Sequence, residues 1–102
     1  MKAIIDGKKY DTKTAEKIAD GRSKCGRSDF GWYEESLYLT KNGNYFLAGR
    51  GHAASKYAKS VDGNTRGPGS RIIPQSEEEA RAWAEEHLTA DEYENLFQAE
   101  EA

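Results

Sequence analysis

The chain has few of the residue types that build cross-linked or metal-bound sites. Its 102 residues include one cysteine, two histidines, one methionine and two prolines. Because Cys25 is the only cysteine, the sequence excludes an intrachain disulfide and a zinc site closed by cysteines. This cysteine usage is typical of a reducing compartment. We therefore predict a cytoplasmic protein.

Long apolar segments are also missing. No run approaches the ~18 apolar residues that a membrane span requires, and the first ten residues, "MKAIIDGKKY", lack the apolar core of a secretory signal. These two features predict a protein that is neither inserted in a membrane nor exported.

No motif in the chain carries catalytic chemistry. His52 and His87 do not have the HxxxH or HExxH spacing of a metal site, and Cys25 has no base beside it in the sequence. The glycines of "GRG" and "GNTRGPG" match neither phosphate-binding fingerprint. The sequence therefore predicts no catalytic residue, no metal ligand and no cofactor, and a protein that is not an enzyme. An enzyme that uses His52 or Cys25 is the least favoured hypothesis.

The residues that are abundant indicate one folded domain. A chain of this length forms a single core, and its 11% aromatic content is far above that of disordered segments. We expect one α+β domain over residues 1–102.

Turn residues and hydrophobic spacing predict the first two elements. Asp6-Gly7 favours a tight hairpin turn, which predicts a hairpin over 1–11. Ala15, Ile18 and Ala19 recur at helical spacing, which predicts a short helix over 12–20.

The Asn42-Gly43 pair predicts a second hairpin over 30–49 with a two-residue loop. In that register Leu39 lies opposite Phe46, and Leu37 lies opposite Ala48, so these four residues form a core face. The other face then carries Tyr38, Tyr45 and Leu47 and needs a cover.

Capping signals organise the end of the chain. Residues 70–74 read as a short strand that ends at a proline, after a basic, glycine-rich loop over 50–69. Ser76-x-x-Glu79 and Thr89-x-x-Glu92 are both capping boxes. They predict a helix–corner–helix unit over 77–99. The order of elements predicts an α+β fold: a small antiparallel β-sheet with a short N-terminal helix and a C-terminal two-helix unit packed on one face.

Charge is strongly separated along the chain. Residues 1–71 carry 14 Lys/Arg and 8 Asp/Glu, whereas residues 72–102 carry Arg81 alone against 10 acids. Such asymmetry indicates contacts with charged macromolecules, although capping and the helix dipole also explain acids on helices. The candidate acidic surface consists of Glu77, Glu78, Glu85, Glu86, Asp91 and Glu94.

A group of cations with an interleaved tyrosine lies near the glycine-rich loop. Cations contact phosphates and an exposed tyrosine stacks on bases, which is typical of a nucleic-acid surface. The overall pI of about 5.4 is low for a dedicated nucleic-acid binder. The candidate partner- or nucleic-acid-binding residues are Arg50, Lys56, Tyr57, Lys59, Arg66 and Arg71.

Several stretches resemble a family of small proteins that are common on phages, plasmids and integrative elements of bacteria. They are "MKAIIDGKKYDTKTAEKIA", "DFGWYEESLYLTKNGNYFLAGRG", "SKYAKS" and "IIPQSEEEARAWAEEHLTADEYENLF", and they span nearly the whole chain. The resemblance carries no catalytic motif and assigns no functional residue.

Proteins of this kind include antidefence factors such as anti-CRISPR inhibitors. The resemblance implies a non-enzymatic protein that binds and inhibits a host defence nuclease in the bacterial cytoplasm. The alternative is a small DNA- or RNA-binding accessory module that uses the basic 50–71 segment.

Overall fold

The computed structural model describes residues 1–102, in which eight strands and two helices follow one another along the chain. The two helices come last, and all strand pairs are antiparallel. This arrangement confirms the predicted α+β class. The elements are β1 (Lys2–Ile5), β2 (Lys8–Asp11), β3 (Glu16–Arg22), β4 (Tyr33–Leu39), β5 (Tyr45–Gly51), β6 (Lys59–Ser60), β7 (Arg66–Gly67), β8 (Gly69–Gln75), α1 (Glu77–His87) and α2 (Ala90–Leu96).

The first hairpin is formed by β1 and β2, as predicted for residues 1–11. Asp6 and Gly7 both have positive φ, 52° and 77°, and Ile5 pairs with Lys8. A two-residue loop with left-handed backbone at both positions is the turn that Asp-Gly favours.

The predicted helix over 12–20 is wrong, because residues 16–22 form the edge strand β3 of the main sheet. Its pairing with β4 is interrupted by a register shift between Lys17 and Ala19. Ile18 and Ala19 both pack against the apolar cluster beneath the helices. A bulge brings two consecutive apolar residues to one cluster, and this produces a spacing that resembles a helical face.

The central hairpin of β4 and β5 is present, but its predicted register is wrong by one residue. Gly43, with φ 85°, donates its N–H to the Thr40 carbonyl at 2.9 Å, so the loop holds three residues instead of two. Leu39 therefore pairs with Tyr45, and Leu37 with Leu47. A one-residue shift moves every β5 side chain to the opposite face.

Four strands form the main sheet in the order β3-β4-β5-β8, and both of its faces are covered by the same chain. The first face packs under α1 and α2, and its buried cluster includes Leu37, Leu47 and Trp83. The second face lies against the β1–β2 hairpin, where Tyr10 packs edge-on against Phe46.

The predicted outer face of Tyr38, Tyr45 and Leu47 is thus divided between the two sides of the sheet. Tyr38 stacks on Phe46 at a centroid distance of 5.1 Å on the hairpin side. Tyr45 lies 5.8 Å from Phe97 on the helical side.

The helix–corner–helix unit is confirmed. Ser76 accepts from the Glu79 N–H at 3.1 Å, while the Glu79 carboxylate accepts from the Ser76 N–H at 2.9 Å. Thr89 and Glu92 make the same reciprocal pair at the start of α2. Neither helix has the length and apolar character needed to cross a membrane.

The segment predicted as a loop over 50–69 is more ordered than expected. β5 continues to Gly51, and a short hairpin, β6 with β7, projects from the middle of the segment. The strand predicted over 70–74 is β8, which runs over Gly69–Gln75.

Candidate functional site

A carboxylate is buried at the centre of the helical face of the sheet. Glu35, on β4, is 3% exposed. It accepts hydrogen bonds of 2.7 Å from the Tyr57 hydroxyl and from the Trp83 indole N–H. The Lys56 ammonium lies 2.7 Å from the same carboxylate, and the ring of His87 approaches to 3.9 Å. We call Glu35 and these four partners the Glu35 cluster.

Two glycines make room for the Glu35 cluster. Gly21 on β3 and Gly49 on β5 are the cross-strand neighbours of Glu35. A Cβ atom at Gly21 would lie 2.6 Å from the Trp83 ring, and one at Gly49 would lie 2.6 Å from the Tyr57 ring. The absence of side chains at these positions lets both aromatic rings lie on the sheet, on either side of the carboxylate.

Burial and hydrogen bonding keep the Tyr57 phenol in its donor form. Burial first, and then the hydrogen bond to Glu35, raise the pKa of Tyr57 well above its ordinary value. The Lys56 ammonium also lies 4.9 Å above the ring of Tyr33. Trp83 lies on α1, whereas Lys56 and Tyr57 lie between β5 and β6. The cluster therefore joins β4, through Glu35, to α1 and to residues 55–58.

The structure changes the interpretation of the six predicted binding residues. Tyr57 is 1% exposed and its hydroxyl is bonded to Glu35, so its predicted role of stacking on a base is wrong. Lys56 is paired with the same carboxylate. Arg71 is exposed on β8, in register with Gly49, and therefore on the helical side. Arg66 is the first residue of β7 and pairs with Ser60.

Arg50 and Lys59, the remaining two, meet at a cleft of about 440 Å³. Arg50 lies on the face of the sheet opposite the helices, since it alternates along β5 with Gly49 and Gly51, whose Cβ positions face Tyr57 and Ser55. We call this the basic cleft. It is lined by Arg27, Trp32, Arg50, Gly51, His52, Lys59, Pro68, Gly69 and Ser70.

Two residues of the basic cleft lie outside the predicted basic segment over 50–71: Arg27 and Trp32. Both belong to the loop before β4, which is fastened to the chain after β5. The His52 N–H donates to the Trp32 carbonyl at 2.8 Å, and the Ala54 N–H donates to the Phe30 carbonyl at 2.8 Å. The arginine and tryptophan of "CGRSDFGW" could have been chosen from the sequence as candidate binding residues. No local sequence pattern, however, predicts that this loop contacts residues 52–54.

The acidic surface lies on the outer side of α1 and α2. All six predicted acids are exposed. Glu77 lies 3.8 Å from Arg81, and the Arg81 guanidinium also donates to the Gln98 carbonyl at 3.1 Å. The two further acids, Glu79 and Glu92, are bound within the capping boxes.

The other reactive side chains are dispersed. Cys25 is exposed in the loop after β3. His52 packs against Trp32 and its Nε2 atom lies 2.8 Å from the Arg27 carbonyl oxygen, whereas His87 packs against Trp83. Nowhere in the chain do three or more His, Cys, Asp or Glu side chains form a group that could hold a metal ion.

Comparisons of the chain with models of known protein families, with curated proteins and with solved structures find no match.

Proposed function

We propose that this chain is a non-enzymatic antidefence protein that inhibits a host nuclease in the bacterial cytoplasm by binding to it. In this proposal the acidic surface occupies a basic groove of the nuclease that otherwise holds nucleic acid. The observation that carries the proposal is the separation of charge in space: the six acids lie on the two helices, and none of them lines the basic cleft.

The two helices display their acids on a rigid support. α1 has 11 residues and is therefore about 16 Å long. Both helices begin in a capping box, and Trp83 and Phe97 fix them to the sheet. A preorganised row of carboxylates binds a basic groove without the cost of ordering a flexible segment. Electrostatic complementarity of this kind also accelerates association.

Few cations from the helical segment itself pair with the carboxylates of the acidic surface. Arg81 is the only cation among residues 72–102, and it is already engaged with Glu77 and with the Gln98 carbonyl. The carboxylates of α1 and α2 that form no ion pair and no capping bond are therefore available to lysines and arginines of a partner: Glu78, Glu85, Glu86, Asp91 and Glu94.

The test is a cleavage assay with a panel of purified RNA-guided nucleases and their guide and target nucleic acids. We expect the wild-type protein to protect the target against at least one nuclease, and to bind that nuclease more weakly as salt is raised. The variant E78Q/E85Q/D91N/E94Q should lose at least tenfold in inhibitory potency, because it removes four charges from the acidic surface.

The matched control is D6N/E16Q/E100Q/E101Q. It changes the net charge by the same amount at exposed acids outside the acidic surface. We expect this control to inhibit as well as the wild-type protein. Absence of binding and protection across the panel would contradict the proposed function. Equal loss in both variants would contradict the role of the acidic surface.

A further inference from the structure

We propose that the basic cleft binds the phosphodiester backbone of a single-stranded nucleic acid. This inference goes beyond the proposed function and does not depend on it, because none of the six acids lines the basic cleft.

The loop before β4, strand β5 and strand β6 each contribute one cation to the basic cleft: Arg27, Arg50 and Lys59. A larger cavity of about 760 Å³ lies beside the cleft, shares Arg50 and Ser70 with it, and adds Arg22. The two together form a continuous surface with four cations. A backbone of regularly spaced phosphates is the ligand that such an extended arrangement suits.

The acids that border this surface are already paired with cations. Glu34 accepts from the Arg50 side chain at 2.6 Å, and Asp20 lies 2.9 Å from Lys17. Asp20 also accepts a hydrogen bond from the Ser36 hydroxyl. Arg27 and Lys59 have no carboxylate partner within 4.0 Å, so their charge is available to a phosphate.

Arg27 is held in position before any ligand arrives. Its guanidinium lies 5.1 Å from the centre of the Trp32 ring, and the His52 ring lies 4.9 Å from the same tryptophan ring. The His52 Nε2 atom lies 2.8 Å from the Arg27 carbonyl oxygen. An arginine that is fixed by stacking loses less conformational freedom when it binds a phosphate.

The loop that carries Arg27 and Trp32 also presents an aromatic ring to solvent. Phe30 is 76% exposed, two residues before Trp32, and its carbonyl accepts from Ala54, two residues after His52. An exposed aromatic ring on a loop that also carries a cation can stack on unpaired bases. This feature favours a single strand over a duplex, whose bases are not accessible for stacking.

The test measures the fluorescence anisotropy of a labelled 12-nucleotide oligo(dT), and of oligo(U), at a series of salt concentrations. We expect binding whose log affinity falls linearly with log salt. The triple variant R27A/R50A/K59A should bind at least tenfold more weakly, with a salt slope shallower by about 2, since each phosphate contact on a single strand contributes roughly 0.7.

The matched control is K8A/K9A/K41A, which removes three exposed lysines from the β1–β2 hairpin and the β4–β5 loop. It should keep the wild-type affinity and slope. F30A should weaken binding several-fold without changing the salt slope, because it removes stacking and leaves the cations in place. E34Q should tighten binding, since it releases Arg50 without removing a cation, and circular dichroism verifies that each variant is folded.

Two results would overturn the proposal. The first is a wild-type protein that binds neither oligonucleotide at low salt. The second is an equal loss of affinity in the cleft variant and in the lysine control, which would indicate attraction by net charge alone. A duplex of the same length that binds as tightly as oligo(dT) would overturn the assignment to single strands.

Discussion

Trp83 and Glu35 lie 48 residues apart in the sequence and are joined by a 2.7 Å hydrogen bond from the indole N–H to the buried carboxylate. This bond fastens α1 to the centre of the sheet. The second carboxylate oxygen accepts from Tyr57 and lies beside Lys56. No buried polar side-chain atom of the protein lacks a hydrogen-bond partner. The Glu35 cluster is thus a fully satisfied polar group inside an otherwise apolar face.

We predict that Glu35→Ala destabilises the protein strongly. The substitution leaves the Tyr57 hydroxyl and the Trp83 N–H buried without an acceptor, and removal of one partner from a buried charged group costs about 3 kcal/mol. Urea unfolding measures the effect. The control is Glu34→Ala, the neighbour on β4, whose ion pair with Arg50 is exposed and which should cost less than about 1 kcal/mol. Equal effects of the two substitutions would contradict a structural role for the Glu35 cluster.

Gly49→Ala should also destabilise the protein, because the new methyl group would lie 2.5 Å from the Glu34 carbonyl oxygen and 2.6 Å from the Tyr57 ring. Overpacking of this kind costs about 1–3 kcal/mol. Gly63→Ala is the control, since a Cβ atom at that position has no neighbour within 4 Å. The midpoint of thermal unfolding should fall for the first variant and stay close to wild type for the second. An unchanged midpoint for Gly49→Ala would show that Tyr57 can move off the sheet at little cost.

We predict that the protein loses stability at alkaline pH because of Tyr57. Burial and the bond to Glu35 raise the pKa of Tyr57 in the folded protein, whereas in the unfolded chain the phenol ionises near its ordinary value of about 10. Above that pH the unfolded state releases a proton that the folded state retains, so the free energy of unfolding falls as pH rises. Urea unfolding from pH 8 to 11.5 measures this slope. Tyr57→Phe should lower stability at pH 8 by about 1–2 kcal/mol and make the decline above pH 10 shallower. A decline as steep as that of the wild type would contradict the assignment.

Elements with a local signal could be predicted from the sequence. Asp6-Gly7 carries its own turn conformation, and the Ser76 and Thr89 boxes satisfy helix ends within three residues. The β3 strand could not be predicted from the sequence, because residues 16–22 adopt strand conformation through pairing with β4. The bulge at residues 17–19 also gave its apolar residues a spacing that imitates a helix.

The candidate site was only partly predictable for the same reason. Arg50 and Lys59 share a basic segment, and both line the cleft. Arg27 joins them through contacts that no local pattern encodes. The Glu35 cluster was hidden by the register error: the predicted loop places Glu35 opposite Arg50, whereas the observed loop places it opposite Gly49. Only the observed register places Glu35 between two glycines, Gly21 and Gly49. Glycines on both sides of a carboxylate leave room for aromatic rings to lie on the sheet, and this is the sequence signal for the cluster.

The loop that sets this register provides the last prediction. Gly43 adopts φ 85°, a left-handed conformation that strains an alanine but is tolerated by asparagine. Gly43→Ala should therefore cost about 1–2 kcal/mol, while Gly43→Asn should recover a part of that loss. Amide exchange at Leu37 and Leu47 should remain slow in both variants, because the burial of these side chains under the helices holds the register. Equal stability of wild type and Gly43→Ala would contradict the left-handed conformation at this position, and a shift of the β4–β5 pairing seen by NMR would contradict the claim that side-chain burial holds the register.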